Sequence, residues 1–353
     1  MNKRERLRAI LLPPMAWQPE RDAFSPGAAP DPLEIYRVLE EQGIDTILID
    51  PGKKPFNPFS GGNTLLEALD PVRALRVLFA ERRADIIISV FEGPSLPLLL
   101  LRKHLRFRVP IVLWDIGLTE KWKLRERVLN MVVPRADAIF VLSTSQQPYI
   151  QKRWGRESGV ELLGQHIDAG FFTPAPPEPS GHILGIGEDI GRDFGTLIAA
   201  VECLDFDVII KTRRLKIDDS MLPPRVHVNR DRLSYSQLRD LYAKSQFVVL
   251  PMHQVPNPCG VSSILEAGAM GRALIVSESD SISDFIVPGE TCLTVPCGDV
   301  RALRDAIEKL GREPETCARL AANGRRFVEE NFSDRVVAGR LASLIRRYAR
   351  PKP

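Results

Sequence analysis

Short apolar runs rich in β-branched residues alternate with helical stripes along most of the chain, and the alternation stops once and then restarts. Runs at Leu7–Leu12, Thr46–Ile49, Ile86–Val90, Ile111–Trp114 and Ala138–Leu142 read as a first set of strands. A second set follows at His182–Ile186, Val208–Ile210, Val226–Val228, Phe247–Leu250, Leu274–Val276 and Cys292–Val295. Strands of near-continuous hydrophobicity separated by helices belong to parallel sheets covered on both faces. Asp31-Pro32-Leu33-Glu34 predicts a helix start with Asp31 as its cap, and Gly43 predicts its end. Later helices are expected over 194–203, 234–244, 261–270 and 299–310. Ser234 with Gln237 makes a capping box for the second of these and Asp299 caps the last. Beyond residue 313 the pattern is helical only, with Ser333 as the expected cap of the final helix.

The interruption is Thr173–Gly181, which holds Pro174, Pro176, Pro177 and Pro179. Proline fixes φ and removes a donor, so this segment predicts a semi-rigid connector. The expected domains are 1–173, a linker at 174–181, a second domain over 182–332, and a helix over 333–353 packing back toward the first. A length of 353 residues suits two domains of ordinary size. The fold class expected is α/β: two Rossmann-like doubly wound parallel-sheet domains facing across a cleft, with ligand beyond the strand C-termini.

Composition narrows the function. The chain is 44% hydrophobic and 26% charged, as ordinary globular proteins are, and its net charge of +3 lacks the basic footprint of a nucleic-acid binder. No apolar run approaches the ~20 residues that cross a bilayer. The start MNKRERLRAILLPP has no small-residue cleavage site and reads as a first strand. Five cysteines, at 203, 259, 292, 297 and 317, form no CxxC pair or zinc spacing, so reduced thiols and a cytoplasmic location are expected. The run SLPLLLLRKHLRFR at 95–108 reads first as a crossover helix, apolar toward the sheet and basic outside. Its second reading is a membrane-surface helix, which would put the protein at the inner face of a membrane.

The chemistry concentrates in Asn257–Asp299. Gly260 precedes a helix that opens with Val261, Ser262 and Ser263. The free N–H groups and positive dipole end of such a start suit a diphosphate. Glu266, one turn along, can turn its carboxylate toward ribose hydroxyls. Gly268 and Gly271 are expected to let this helix lie close on the sheet. Lys211-Thr212-Arg213-Arg214 follows a strand and puts cations at its C-terminal end, where Arg forks pair well with phosphate.

The stretch Leu265-Glu266-Ala267-Gly268-Ala269-Met270-Gly271-Arg272-Ala273-Leu274-Ile275-Val276, with the tail Pro288-Gly289-Glu290-Thr291-Cys292-Leu293-Thr294-Val295-Pro296, resembles the donor-binding core of the family-4-type retaining glycosyltransferases of GT-B fold. Arg192-Asp193-Phe194-Gly195-Thr196-Leu197-Ile198 and Leu238-Arg239-Asp240-Leu241-Tyr242-Ala243 resemble flanking parts of the same family. The resemblance implies a hexosyl- or related transferase that takes a nucleotide-sugar, retains anomeric configuration and needs no metal or other cofactor. It implies Glu266 as the ribose-binding residue, and an acceptor that is a glycan, a lipid-linked molecule or a small molecule. It marks Asp284 as lying near a frequent family acid. It marks Asp115 as lying near the polar residue that reaches the reacting sugar. Two positions depart from the pattern. Pro258 stands eight residues before Glu266 where the first signature glutamate belongs. Gly187-Glu188 replaces the usual Gly-Arg, so Arg192, Lys211 or Arg213 must supply the phosphate's counter-charge. His166 and His227 read as lone histidines, with His227 ending a strand that faces the presumed base pocket.

Two other function classes stand beside this one. Gly185-Ile186-Gly187-Glu188-Asp189-Ile190-Gly191 lies between a strand and a helix, and Arg213 and Arg214 lie near the next strand, as in an NADP-dependent oxidoreductase. Pro258 and Glu188 suit a non-catalytic relative acting as a partner protein. A nucleotide-sugar epimerase of the same fold is a nearer alternative.

Overall fold

The computed structural model of the chain describes residues 6–350 apart from 23, 54–69, 82–83, 103, 105–107, 118–122, 176–180 and 256. Most of the proline-rich connector, most of the Pro51–Gly62 loop and part of the basic run after Leu101 therefore lie outside the described residues. The chain forms two compact units. The first comprises Met1–Phe24, Pro32–Gly164 and Arg335–Pro353; the second comprises Ser25–Asp31 and Gln165–Asp334.

The first unit is built on strands β1 (Leu7–Leu12), β2 (Ile44–Leu48), β3 (Ile86–Val90), β4 (Ile111–Trp114), β5 (Ala138–Val141) and β6 (Val160–Leu162). They form one sheet in the order β2-β1-β3-β4-β5-β6, with every ladder parallel. Its helices are α1 (Gln18–Asp22), α2 (Glu34–Glu41), α3 (Pro71–Glu81), α4 (Leu96–Leu101), α5 (Lys123–Val132), α6 (Gln146–Trp154) and the last helix of the chain, α12 (Asp334–Tyr348). Burial on both faces explains the unbroken apolar strands. Ile10, Ile87, Ile111 and Ile139 pack with α3, α4, α5 and α6 on one side, while Ala9, Ile86, Val112 and Ala138 meet Leu39 of α2 and Val337, Leu341 and Ile345 of α12 on the other.

The second unit repeats the scheme with β7 (His182–Ile186), β8 (Val208–Lys211), β9 (Val226–Asn229), β10 (Ser245–Leu250), β11 (Ala273–Ser277) and β12 (Leu293–Val295). The order is β12-β11-β10-β7-β8-β9, again parallel throughout. Helices α7 (Phe194–Val201) and α10 (Val300–Arg312) cover one face; α8 (Tyr235–Ala243), α9 (Val261–Ala269) and α11 (Pro314–Phe332) cover the other. The chain runs outward from β7 through β8 and β9, then crosses back to start β10 on β7's other side. Strand order reverses at that point, which opens a crevice beyond the C-terminal ends of β7 and β10.

Local expectations fare unevenly. The Ser234–Gln237 capping box forms in both directions, and Asp299 caps α10 through the Ala302 amide. Asp31 does not cap α2: the helix starts after a turn through Pro32 and Leu33, with Leu33 at the cap position, and the Asp31 amide donates to Asp168 instead. Ser333 likewise donates its hydroxyl back to the Glu329 carbonyl. Gly268 brings α9 close to another helix and not to the sheet, since a Cβ there would lie 2.7 Å from Val328 Cγ2 and 3.2 Å from the Gly324 carbonyl of α11. Gly271 takes φ 61° just past the end of α9 and faces Pro174, so its value is conformational as well as steric.

Candidate functional site

The crevice between β7 and β10 is lined by the loops that leave those strands, and backbone pairing stitches the two loops together. Arg192 and Met252 form an antiparallel bridge, the Asp193 amide donates to the Pro251 carbonyl, and the His253 amide donates to the Gly191 carbonyl. This holds the Arg192 side chain between Gly187 and Gly260. A Cβ at Gly187 would overlap the guanidinium, and one at Gly260 would lie 3.1 Å from Nη1 and 2.7 Å from Met252 Sδ. Both glycines have positive φ, 152° and 85°, so neither backbone nor space admits a side chain readily.

Gly260 is the cap residue of α9 and carries no side-chain capping bond. The first intrahelical bond runs from Ile264 to the Gly260 carbonyl, so the Val261, Ser262 and Ser263 amides precede the helix ladder. Arg192 sits beside them with its side chain only 3% exposed. Its Nη2 donates to Ser263 Oγ at 2.9 Å. Asp189 Oδ2 lies 3.1 Å from Nε without hydrogen-bond alignment, and both Nε and Nη1 are buried without a hydrogen-bond partner. The Asn257 Oδ1 atom, in the loop before α9, is buried and unmatched too. A buried guanidinium with unmet donors beside uncapped amides is costly unless those donors are matched. An anion seated there would satisfy both, through charge-assisted bonds and the helix dipole.

One turn deeper, Glu266 is partly buried and accepts from the Tyr242 hydroxyl at 2.7 Å. Burial pushes the Glu266 carboxyl up to about 7, against the opposing pull of the Tyr242 bond and of Arg192's charge. Tyr242 is wholly buried and its phenol is pushed well above its ordinary value, first by burial and then by the Glu266 charge. Arg192 donates to Ser263 and Tyr242 donates to Glu266, and Ser263 draws the Tyr242 phenol down, so the four residues form one connected chain of neighbours. Among the described residues Glu266 has no ion-pair partner.

The remaining expected residues are more dispersed. Ser262 lies at the same helix start but is exposed. Lys211, at the end of β8, is 6% exposed and lies 3.4 Å from Glu188 Oε1; the Arg213 amide and Nε contact the same carboxylate. Glu188 thus lies against two of the three cations expected to meet a phosphate, and the third, Arg192, faces the helix start. His227 is exposed and in mid-strand, paired with Ile209, because β9 runs on to Asn229. His166 has a partner in this unit: its Nδ1 lies 2.6 Å from Asp334 Oδ1. Asp284 is partly buried in the short helix Asp280–Phe285.

Asp115 belongs to the first unit. It follows β4 at φ 60°, and Phe91, which follows the neighbouring β3, has φ 62°; left-handed conformation at two non-glycine residues marks local strain. The Asp115 carboxylate accepts from the Ile116 amide at 2.7 Å and lies 3.5 Å from Gln146 Nε2, and burial pushes it up to about 7. Nearby, buried Glu92 pairs with Arg125. Tyr242 and Glu92 were not among the candidate residues drawn from sequence. A hydroxyl inside the apolar stripe of Leu238, Leu241 and Ala243 is the one signal that could have singled out Tyr242.

Comparisons with known proteins point the same way. Residues 214–327 match the family model described as Glycosyl transferases group 1. A capsular polysaccharide biosynthesis glycosyltransferase, CapM, of Staphylococcus aureus is 29% identical over 108 residues, 30% of this chain. That match spans 27% of the curated relative's length. Among solved structures, sucrose-phosphate synthase from Thermosynechococcus elongatus is similar with a TM-score of 0.74 at 18% identity, covering 97% of this chain and 99% of that one. A glycosyltransferase from Rickettsia africae gives 0.70 at 14% identity over 98% and 99%. Anabaena HepE in complex with UDP-glucose gives 0.68 at 15% identity over 96% and 99%. At such identities the likeness to solved structures establishes the fold, a pair of Rossmann-like domains of the GT-B type.

Proposed function

We propose that this chain, whose residues 214–327 match the Glycosyl transferases group 1 model, moves a sugar from a nucleotide-diphosphate-sugar to an acceptor. The observation that carries the reading is the buried Arg192 guanidinium, with two unmet donors, beside the uncapped start of α9. In this reading the diphosphate sits on the Val261–Ser263 amides and Arg192. Glu266, oriented by Tyr242, accepts from the ribose hydroxyls. As the sugar–phosphate bond breaks, negative charge grows on the departing diphosphate, and preorganised amides with a desolvated guanidinium stabilise that charge more strongly than water does. These groups supply positive charge without a metal, so transfer is proposed to be metal-independent. Retention of configuration and a UDP-linked donor are part of the proposal; HepE, of similar fold, is described in complex with UDP-glucose.

The oxidoreductase reading meets an electrostatic obstacle. The helix after the Gly185–Gly191 turn is α7, and its start is capped by Asp193, which accepts from the Thr196 amide at 3.1 Å and the Thr196 hydroxyl at 2.6 Å. A carboxylate at that helix start takes the place a pyrophosphate would need and repels it. Arg213, one of the two candidates for a 2′-phosphate, lies against Glu188.

A thermal-shift screen of nucleotide-diphosphate-sugars, with NADPH alongside, tests the reading. At least one nucleotide-sugar should raise the melting temperature and NADPH should not. Arg192→Ala should abolish that rise, and EDTA should leave it and the transfer rate unchanged. A shift by NADPH alone, or a nucleotide-sugar shift that survives Arg192→Ala, overturns the assignment. A full shift without transfer to any acceptor marks the chain as a non-catalytic relative.

A further inference from the structure

Helices α3, α4 and α5 lie on one face of the first unit's sheet. Their inner sides (Ala74 and Val77, Leu98 and Leu99, Val128 and Leu129) enter a single core cluster. Their outer sides carry large apolar side chains that surface helices usually bury. Phe79 is 87% exposed and Leu75 56%, and these two stand four residues apart on the same stripe of α3. Leu100 and Leu101 of α4 and Leu124 of α5 are each more than two-fifths exposed. Five large apolar side chains on three adjacent helices make a patch of the kind that marks an interaction surface.

Charge says what kind of surface it meets. Among the described residues of 71–127 the exposed charged side chains are Arg76, Arg108, Lys123 and Arg127, with no exposed carboxylate among them. Some cations of the segment have partners: Arg76 pairs with Asp70, Arg102 with Asp137, and Arg125 with Glu92. Arg108, Lys123 and Arg127 are exposed, as is His104. Apolar side chains interleaved with cations match a bilayer with anionic headgroups, where the former enter the acyl boundary and the latter meet phosphates. Among the described residues no helix is long and apolar enough to cross a membrane, so the contact would be with the surface.

We propose that this face of the first unit seats on an anionic lipid bilayer, with Leu75 and Phe79 as its principal apolar anchors and Lys123 and Arg127 among its charge contacts. The proposal stands on the exposed face itself and holds whichever donor the second unit takes.

Co-sedimentation of the full chain with vesicles tests it. The protein should pellet with vesicles of equal parts phosphatidylcholine and phosphatidylglycerol, hardly with phosphatidylcholine alone, and less as salt is raised. Leu75→Ser with Phe79→Ser should lower the affinity by roughly tenfold for each side chain removed from the bilayer. Because both side chains are exposed, the melting temperature should be kept, which separates lost docking from lost folding. Lys123→Glu with Arg127→Glu gives a second route, by weakening the preference for phosphatidylglycerol. Three outcomes overturn the proposal: no pelleting with either vesicle, equal pelleting by parent and apolar variant, or a parent dimer that the apolar variant makes monomeric. The last would identify the face as a contact between copies of the chain.

Discussion

Glu266 and Asp115 are carboxylic acids that burial pushes up to about 7, from ordinary values of 4.5 and 3.8. Only Glu266 belongs to the connected chain at the crevice of the second unit. Its raised value has a definite consequence for stability. Between the ordinary value and about 7 the folded protein binds a proton that the unfolded chain has released, so stability falls as pH rises through that window. Glu266→Gln keeps the bond from Tyr242 but cannot ionise. The melting temperature of the variant relative to the parent should therefore climb from pH 5 to pH 7 and level off above it. Parallel melting curves across that range would mean that the carboxyl is not held in its neutral form by burial. In the proposed site ligand binding uses the same atoms: the glutamine has one acceptor oxygen, already used by Tyr242, and should bind the nucleoside more weakly.

At the scale of the element, α9 unites the proposed site, because its start would meet the diphosphate and its first turn the ribose of one ligand. Gly260 makes the start possible. Gly260→Ala places a Cβ at φ 85° and against Met252 and Arg192, so it should cost about 1–2 kcal/mol of stability for the backbone conformation alone. It should also push Arg192 from the helix start, so nucleotide-sugar binding, measured by calorimetry, should fall by more than the stability loss explains. Normal binding by a destabilised Gly260→Ala protein would separate the glycine from the site. Elements of this kind were readable where local chemistry decides them. Eleven of the twelve strands are visible as apolar runs, and the Ser234 and Asp299 caps as side-chain patterns. The missing strand, β6, is three residues long, half exposed and interrupted by Glu161, and it owes its existence to pairing with β5. Asp31 has the composition of a cap, but a turn at Pro32 and Leu33 delays the helix, and tertiary contact with Asp168 claims its amide.

Over the whole molecule, the repeated strand–helix rhythm leads to two parallel sheets, and the strand order gives the second the reversal at which the site is proposed. That order was not written in any single residue: pairing of β7 with β10, Ser245 opposite His182, follows from the path of the chain through β8 and β9. The Asn257–Glu266 segment was legible because helix starts and glycines leave local marks. The assignment of charge was less so. Lys211, Arg213 and Arg192 are alike in sequence, and only the packed structure shows that the first two lie against Glu188 while Arg192, near Asp189, reaches Ser263 at the start of α9. Hydrogen–deuterium exchange with and without a nucleotide-sugar identified by the thermal-shift screen tests this most directly. The account predicts new protection at the Val261, Ser262 and Ser263 amides and in the 187–192 loop, lost in Arg192→Ala. Protection that falls elsewhere in the chain, with the opening amides of α9 exchanging as before, would contradict it.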